Sequence, residues 1–234
     1  MAKDTIIITG ADGGLGSSVT SALLKAGYML RASAMHEEAV ERLKSSYPEH
    51  YGNALTAVIA DLGTEEGVKA LLEGIPQPSG LVHLAGGYKP GNAVSDYSND
   101  DFSFLMNLNA RPTFLLLKHL MPSLKALGKG SIVTIGAKPA LHPVAANAVY
   151  TASKSAVIAL TMAAAEEGRP FNVRANCIIP AALQTPGNLS WASKEQFETF
   201  TPLQDIADTI LFLMSDEGRG ITGTTIPMYH KIAT

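Results

Sequence analysis

The chain has 234 residues, 46% of them apolar and 17% charged, with 18 Lys and Arg against 21 Asp and Glu for a net charge of −3. A chain this long and this apolar can bury a real core, which excludes wholesale disorder. The charge balance excludes a nucleic-acid binder working through a large basic surface and argues against attachment to an anionic membrane. At ~150 residues per domain the length fits one α/β domain. Aromatics are only 6%, so the core must come from Ala, Val, Ile, Leu and Met. The single cysteine, Cys177, has apolar surroundings and reads as a core residue rather than a nucleophile. No apolar run approaches the ~18 residues that span a bilayer. Residues 1–4 offer no secretory leader before the first strand-like run. The expectation is a protein of the reducing cytoplasm.

The predicted elements alternate along the chain. Residues 5–9 (Thr-Ile-Ile-Ile-Thr) read as a short buried strand. Apolar positions at 15, 19, 22, 23 and 26 give a helix over 15–26, closed by Gly27. A strand at 28–34 and a helix at 37–46 follow, then a strand at 55–60 and a helix at 65–73 capped by Thr64. A strand at 81–85 precedes a long helix over 102–127, expected to bend or break at Pro112 and Pro122. The rest reads as a strand at 131–136, a helix at 149–167, a strand at 172–179, an irregular or helical loop at 186–200, a helix at 206–215 and a strand at 224–228. Short apolar strands alternating with helices predict one doubly wound α/β domain over residues 1–234. It would be a Rossmann-type parallel sheet of about seven strands, helices on both faces and a short substrate loop at about 186–200.

Two motifs carry chemistry. Thr9-Gly10-Ala11-Asp12-Gly13-Gly14-Leu15-Gly16 lies between the first strand and the first helix. A glycine turn there lets the backbone approach a pyrophosphate, and the helix start presents free N–H groups. Tyr150 and Lys154 are spaced i, i+4 and share a helix face. A close ammonium should lower the phenol's ionisation from near pH 10, so that Tyr150 can exchange a proton near neutrality.

Together these motifs resemble the short-chain dehydrogenase/reductase family over essentially the whole chain. The resemblance implies a nicotinamide dinucleotide held by Gly10, Asp12, Gly14, Leu15, Gly16 and the end of the second strand at Ala34. It puts Asp61 and Leu62 at the adenine. Ala85 and Gly86 match the second half of the family's Asn-Asn-Ala-Gly motif, with His83 and Leu84 replacing the two Asn. Asn109 matches a helix-kinking Asn that holds a proton-relay water. Pro180, Leu183 and Thr185 match Pro-Gly-x-x-x-Thr beside the nicotinamide, with Ala181 in place of Gly. Tyr150 would be the proton donor, and Lys154 would bind the nicotinamide ribose. No metal is implied; His83, His119 and His142 lack ligand spacing.

The departure that matters most is Ala137. The family usually carries a catalytic Ser thirteen residues before its Tyr, and losing such a donor can cost ~10² to 10³ in rate. Dihydropteridine reductases, a branch of the family, also lack this Ser. The chain is similar to them in Gly136-Ala137-Lys138-Pro139-Ala140-Leu141, in Ala85-Gly86-Gly87-Tyr88, and in Gly91-Asn92-Ala93. When hydride adds to a C=N bond the charge develops on nitrogen, so no separate oxyanion donor is needed. The resemblance therefore implies an NAD(P)H-dependent reductase of a C=N or quinonoid substrate. The alternatives are an ordinary carbonyl reductase or alcohol dehydrogenase, and a dinucleotide sensor without turnover.

For the cofactor, Ser33-Ala34-Met35-His36 holds no carboxylate to repel a 2′-phosphate, and Ser33 and His36 could bind one. That leans toward NADP(H) over NAD(H). Trp191, Phe197 and Phe200 are either core or a mobile lid. The expected partners are a small-molecule substrate and further copies of the chain, as a homodimer or homotetramer through the helices at 102–127 and 149–167, with no nucleic acid and no membrane.

Overall fold

Ile6, Ile7 and Ile8 are all buried, and they point alternately to opposite sides of strand β1 (Thr5–Thr9). Ile6 and Ile8 belong to one core cluster and Ile7 to another. A strand covered on both faces is what the unbroken apolar run predicts. The computed structural model describes residues 4–75 and 77–233. The further strands are β2 (Met29–Ala34), β3 (Leu55–Ile59), β4 (Pro78–His83), β5 (Gly130–Ile135), β6 (Val173–Pro180) and β7 (Thr224–Met228). They form one sheet in the order β3-β2-β1-β4-β5-β6-β7, every pair parallel. Thr9 stands opposite both Ser33 and His83.

The helices are α1 (Gly14–Lys25), α2 (Glu37–Ser46), α3 (Glu65–Leu72), α4 (Asn99–Leu105), α5 (Arg111–Leu127), α6 (Ala148–Gly168), α7 (Pro186–Leu189), α8 (Lys194–Phe197) and α9 (Leu203–Met214). Val19 and Leu23 of α1, Leu43 of α2 and Ile206 and Ile210 of α9 pack with Ile6 and Ile8. Leu71 of α3, Leu116, Leu120 and Leu124 of α5 and Ala164 of α6 pack with Ile7 and Leu81. Thr64 caps α3 as expected, its hydroxyl accepting from Gly67 N.

Three expectations change. The long helix over 102–127 is interrupted once, not at both prolines. A π-helical segment, Met106–Ala110, separates α4 from α5, and Arg111 N bonds back five residues to Met106 O. Pro112 lies one residue beyond, and its missing N–H leaves Leu108 O without an α-helical donor. The register slip absorbs that loss just ahead of the proline. Pro122 stays inside a continuous α5. Next, β4 starts at Pro78 and stops at His83, so Ala85 lies in the following loop. Finally, the segment Ala148–Phe171 is long and apolar enough by composition to cross a membrane. Its alanines are interspersed with Ser, Thr and Lys154, so no unbroken apolar run marks it. In the fold it packs on the sheet through one face, with Ala164 and Ala165 in one core cluster and Val157, two turns earlier, in another with Cys177.

Candidate active site

A parallel sheet brings the outgoing ends of its strands together, and here the connections reverse direction between β1 and β4. Ligands of doubly wound folds bind at this switch point. The glycine turn follows β1 at that point. Gly10 holds φ +68°, and a Cβ on it would stand 2.9 Å from Ala85 N. A Cβ on Gly16 would meet Gly10 O at 1.9 Å. Both positions therefore admit glycine alone. No side chain caps the start of α1, so the N–H groups around Gly14, Leu15 and Gly16 remain open to an anion. Asp12 Oδ2 is paired with Arg42 Nη2 of α2 at 2.6 Å. Thr9 Oγ1 accepts from Ala85 N at 3.1 Å and lies 2.7 Å from His83 Nδ1, tying the two loops together.

Beside the turn, a cavity of about 500 Å³ is lined by Met35, Asp61, Leu62, Ala85, Gly86 and Arg111, among others. Asp61 Oδ1 accepts from Gly63 N at 2.8 Å, and Arg111 Nε donates to Gly63 O at 2.7 Å. The structure thus joins the adenine-side residues expected from the sequence, with one correction. Ala34 is buried against Ala39 and Val40 of α2, so its side chain faces the core. Its neighbour Met35, 68% exposed, lines the cavity instead. Ser33 is buried in the sheet, and His36 Nδ1 is 2.8 Å from Glu38. Ser33 is thus closed off, while His36 stays exposed with its Nδ1 turned to Glu38.

Tyr150 and Lys154 lie on α6, which faces β6. Lys154 is buried, and its Nζ donates to Ile135 O at 3.0 Å. Burial pulls its ammonium down to about 8. Burial also pushes the Tyr150 phenol up to about 12, with Tyr88 adding to the effect. The expected lowering of the phenol by Lys154 is therefore not met. The ammonium is committed to a carbonyl at the end of β5, and the loss of water around the phenol dominates.

The π segment presents Asn109, which is buried. Its Oδ1 accepts from Gly87 N at 2.9 Å, and its Nδ2 donates to Gly87 O at 3.0 Å and to Ser153 Oγ at 3.1 Å. Ser153 Oγ in turn donates to Tyr150 O at 2.8 Å. Asn109 thus sits in a π-helical slip of the helix, and its side chain clamps the loop after β4. A Cβ on Gly86 would stand 2.6 Å from Asn109 Oδ1 and 3.2 Å from Lys154 Nζ, so these three positions are adjacent.

Pro180 ends β6 and is buried. Leu183 bridges Thr201, and its carbonyl accepts from Asn188 Nδ2 at 2.8 Å. Thr185 caps α7 by accepting from Asn188 N at 3.2 Å. A Cβ on Gly14 would lie 3.1 Å from Thr185, so this segment meets the glycine turn. Phe200 is buried, and both Trp191 and Phe197 pack on it, with ring centroids at 5.7 and 5.8 Å; Trp191 itself stays 63% exposed. Ala137, two residues past β5, is buried and offers no side-chain donor.

Met35, Arg42 and Ser153 belong to this neighbourhood and were not singled out by sequence reasoning. Only Met35 had a local signal, its place one residue past the second strand. Arg42 is recruited from another element, and Ser153, inside the Tyr150–Lys154 stretch, gains its role by its contact with Asn109.

A model of the short chain dehydrogenase family matches residues 4–196. The 2,5-dichloro-2,5-cyclohexadiene-1,4-diol dehydrogenase LinX of Sphingobium indicum is 29% identical over 239 residues, 97% of this chain and 95% of that one. The 2,3-dihydro-2,3-dihydroxybenzoate dehydrogenase of Bacillus subtilis is 29% identical over 236 residues, 92% of this chain and 90% of that one. The solved structure of ElxO with NADP bound superposes with a TM-score of 0.88 at 22% identity, over 97% of each chain, a likeness of fold.

Proposed function

The chain belongs to the short chain dehydrogenase family of nicotinamide-dependent oxidoreductases, and within that premise we propose that it reduces a C=N or quinonoid-type bond in a small substrate held against Tyr150. The residues fit the dinucleotide. Gly10 and Gly16 have no room for a side chain, the start of α1 is uncapped, and the cavity at Met35 lies beside them. Gly14, Leu15 and Gly16 would hold the pyrophosphate, and Met35, Asp61, Leu62, Ala85 and Gly86 the adenosine. Pro180, Leu183, Thr185 and Lys154 would hold the nicotinamide half. Bound there, the group supplies hydride.

The chain's own residues supply the proton and the geometry. A phenol held near 12 stays protonated across neutral pH, so Tyr150 carries the proton to be delivered, as a weaker acid than a free phenol. Lys154 keeps a positive charge up to about pH 8 beside Gly86 and Asn109. Asn109 is a positioning residue, holding Gly87 and, through Ser153, the backbone of Tyr150. Residues 186–200 form the substrate loop, with Trp191 exposed on it. A second copy packs on the groove between α5 and α6, lined by Phe114, Met121 and Leu160, to give a homodimer or homotetramer.

Ala137 carries the C=N reading. At the position where the resemblance expects a hydroxyl for a substrate oxygen, the side chain is a buried methyl group. A second reading, an alcohol dehydrogenase or carbonyl reductase, is favoured by the names of the two relatives, both dehydrogenases of unsaturated six-membered rings. Steady-state rates on quinonoid pterins and cyclic imines against a ketone panel separate the two. In either case Tyr150→Phe should lower kcat by ~10² or more while dinucleotide binding stays near normal. Activity within threefold of the wild type would remove Tyr150 from the mechanism.

A further inference from the structure

Tyr88 is 57% exposed, yet it is held in place from both sides. On one side Asn109 grips both the N–H and the carbonyl of the preceding Gly87. On the other, Gly91 is so crowded that a Cβ would meet Tyr97 Oη at 1.6 Å and Ala146 O at 2.4 Å. Between these anchors the Tyr88 ring stands edge-to-face with Tyr150, centroids 4.9 Å apart and planes at 85°. An aromatic that only packed the core would be buried; this one leaves more than half its surface open next to the phenol.

The surroundings narrow the chemistry. The loops that follow β4, β5 and β6 leave the same end of the sheet. They expose Val94, Leu141, Val144, Leu189 and Trp191. The two lysines on the first two of these loops are engaged: Lys89 with Asp101, and Lys138 with Ala233 O and over the Tyr229 ring. The mouth of the site is largely apolar: Lys89 and Lys138 are committed, and Lys194, on the loop after β6, is an exposed lysine with no ion pair among the described residues.

We propose that Tyr88 determines substrate specificity, as a fixed platform on which a flat, neutral, unsaturated ring stacks so that its reducible bond faces Tyr150. This rests on the oxidoreductase reading but not on whether the bond is C=N or C=O. Stacking adds selectivity for flat rings because a puckered ring offers no π face.

The test compares isatin, a flat bicyclic ketone, with cyclohexanone, a puckered one, in wild type, Tyr88→Leu, Tyr88→Phe and Tyr88→Trp. Leu keeps the bulk against Tyr150 and removes the π face. The ratio of kcat/KM for isatin over cyclohexanone should fall about tenfold in the Leu variant and return to within about twofold in Phe and Trp. Calorimetric titration with isatin, which needs no turnover, should show the same order of dissociation constants. An unchanged ratio in the Leu variant, or a Phe variant as impaired as Leu, would overturn the proposal. If the wild type turns over neither ketone, the ketone reading fails, and the titrations alone decide on Tyr88. Wild type that binds no isatin, or Leu and wild type binding it equally, would count against the platform.

Discussion

Replacing His83 by Asn should remove an acid sensitivity built into the middle of the sheet. The imidazole is fully buried between β1 and the loop after β4, with Nδ1 2.7 Å from Thr9 Oγ1. Burial, with a smaller contribution from the Lys154 charge, holds it down to about 3. In an unfolded chain it titrates near 6.5. Below pH 6.5 the unfolded chain therefore takes up a proton that the folded chain refuses. The unfolded state binds more protons, and stability falls as the pH drops from 6.5 toward 3. At pH 5 the unfolded imidazole is almost fully protonated and the folded one is not. Linkage then puts the loss at about 2 kcal/mol relative to pH 8. An Asn amide can still meet Thr9 Oγ1 but has no proton to gain. Urea unfolding at pH 8 and pH 5 measures the difference in each protein. That difference should shrink by about 2 kcal/mol in His83→Asn. Equal pH dependence in the two proteins would refute the reasoning, because it would mean that folded His83 accepts a proton as readily as an unfolded one.

If Ala137 reflects C=N chemistry, Ala137→Ser should leave imine reduction unchanged or slower and raise ketone reduction roughly tenfold, less than the cost of deleting an evolved donor; a gain on the imine alone would sink that link. Met35→Asp, at the exposed position past β2, should raise the NADH-to-NADPH ratio of kcat/KM and of binding affinity by roughly tenfold, through repulsion of the 2′-phosphate. No shift would mean that the ribose lies elsewhere. With Lys154 held down to about 8 and Tyr150 up to about 12, the rate of reduction should fall as pH rises above about 8 and show no separate tyrosine limb below pH 10. Lys154→Arg, which keeps its charge, should move that limb up by a unit or more in a pH–rate profile.

The sheet and its helices were legible because their signals are local. A run such as Ile6–Ile8 or the spacing of Val19, Leu23 and Leu24 carries its burial in its own period. The glycine turn was legible from its own spacing: Gly16 answers to crowding by Gly10 and Ala11 within the motif, whereas the crowding of Gly10 comes from Leu84 and Ala85 in the loop after β4. What stayed hidden depends on distance in sequence. Nothing near Asp12 announces Arg42, and nothing near Tyr150 announces that Lys154 reaches Ile135 O instead of the phenol. Helical spacing places two side chains on one face but does not say where a flexible four-carbon stem will end. The interruption of the long helix was half legible. Pro112 forecast it, but the one-residue slip that turns Asn109 toward Gly87 depends on a loop more than twenty residues earlier. Pro122 forecast a break that tertiary packing of α5 overrides.

The position of β1 inside the sheet, between β2 and β4, has a consequence for how the chain acquires its structure. One edge of β1 is completed by β2, which follows directly, and the other by β4, whose His83 lies 74 positions after Thr9. Closing that longer loop costs about 1 kcal/mol more in chain entropy than closing the shorter one. The pairing that brings the loop after β4 against the glycine turn is therefore among the slower to form. During synthesis the three isoleucines of β1 wait with one edge unpaired until β4 has emerged. A fragment that ends before β4 keeps that edge open for good, in a form that invites pairing with another chain.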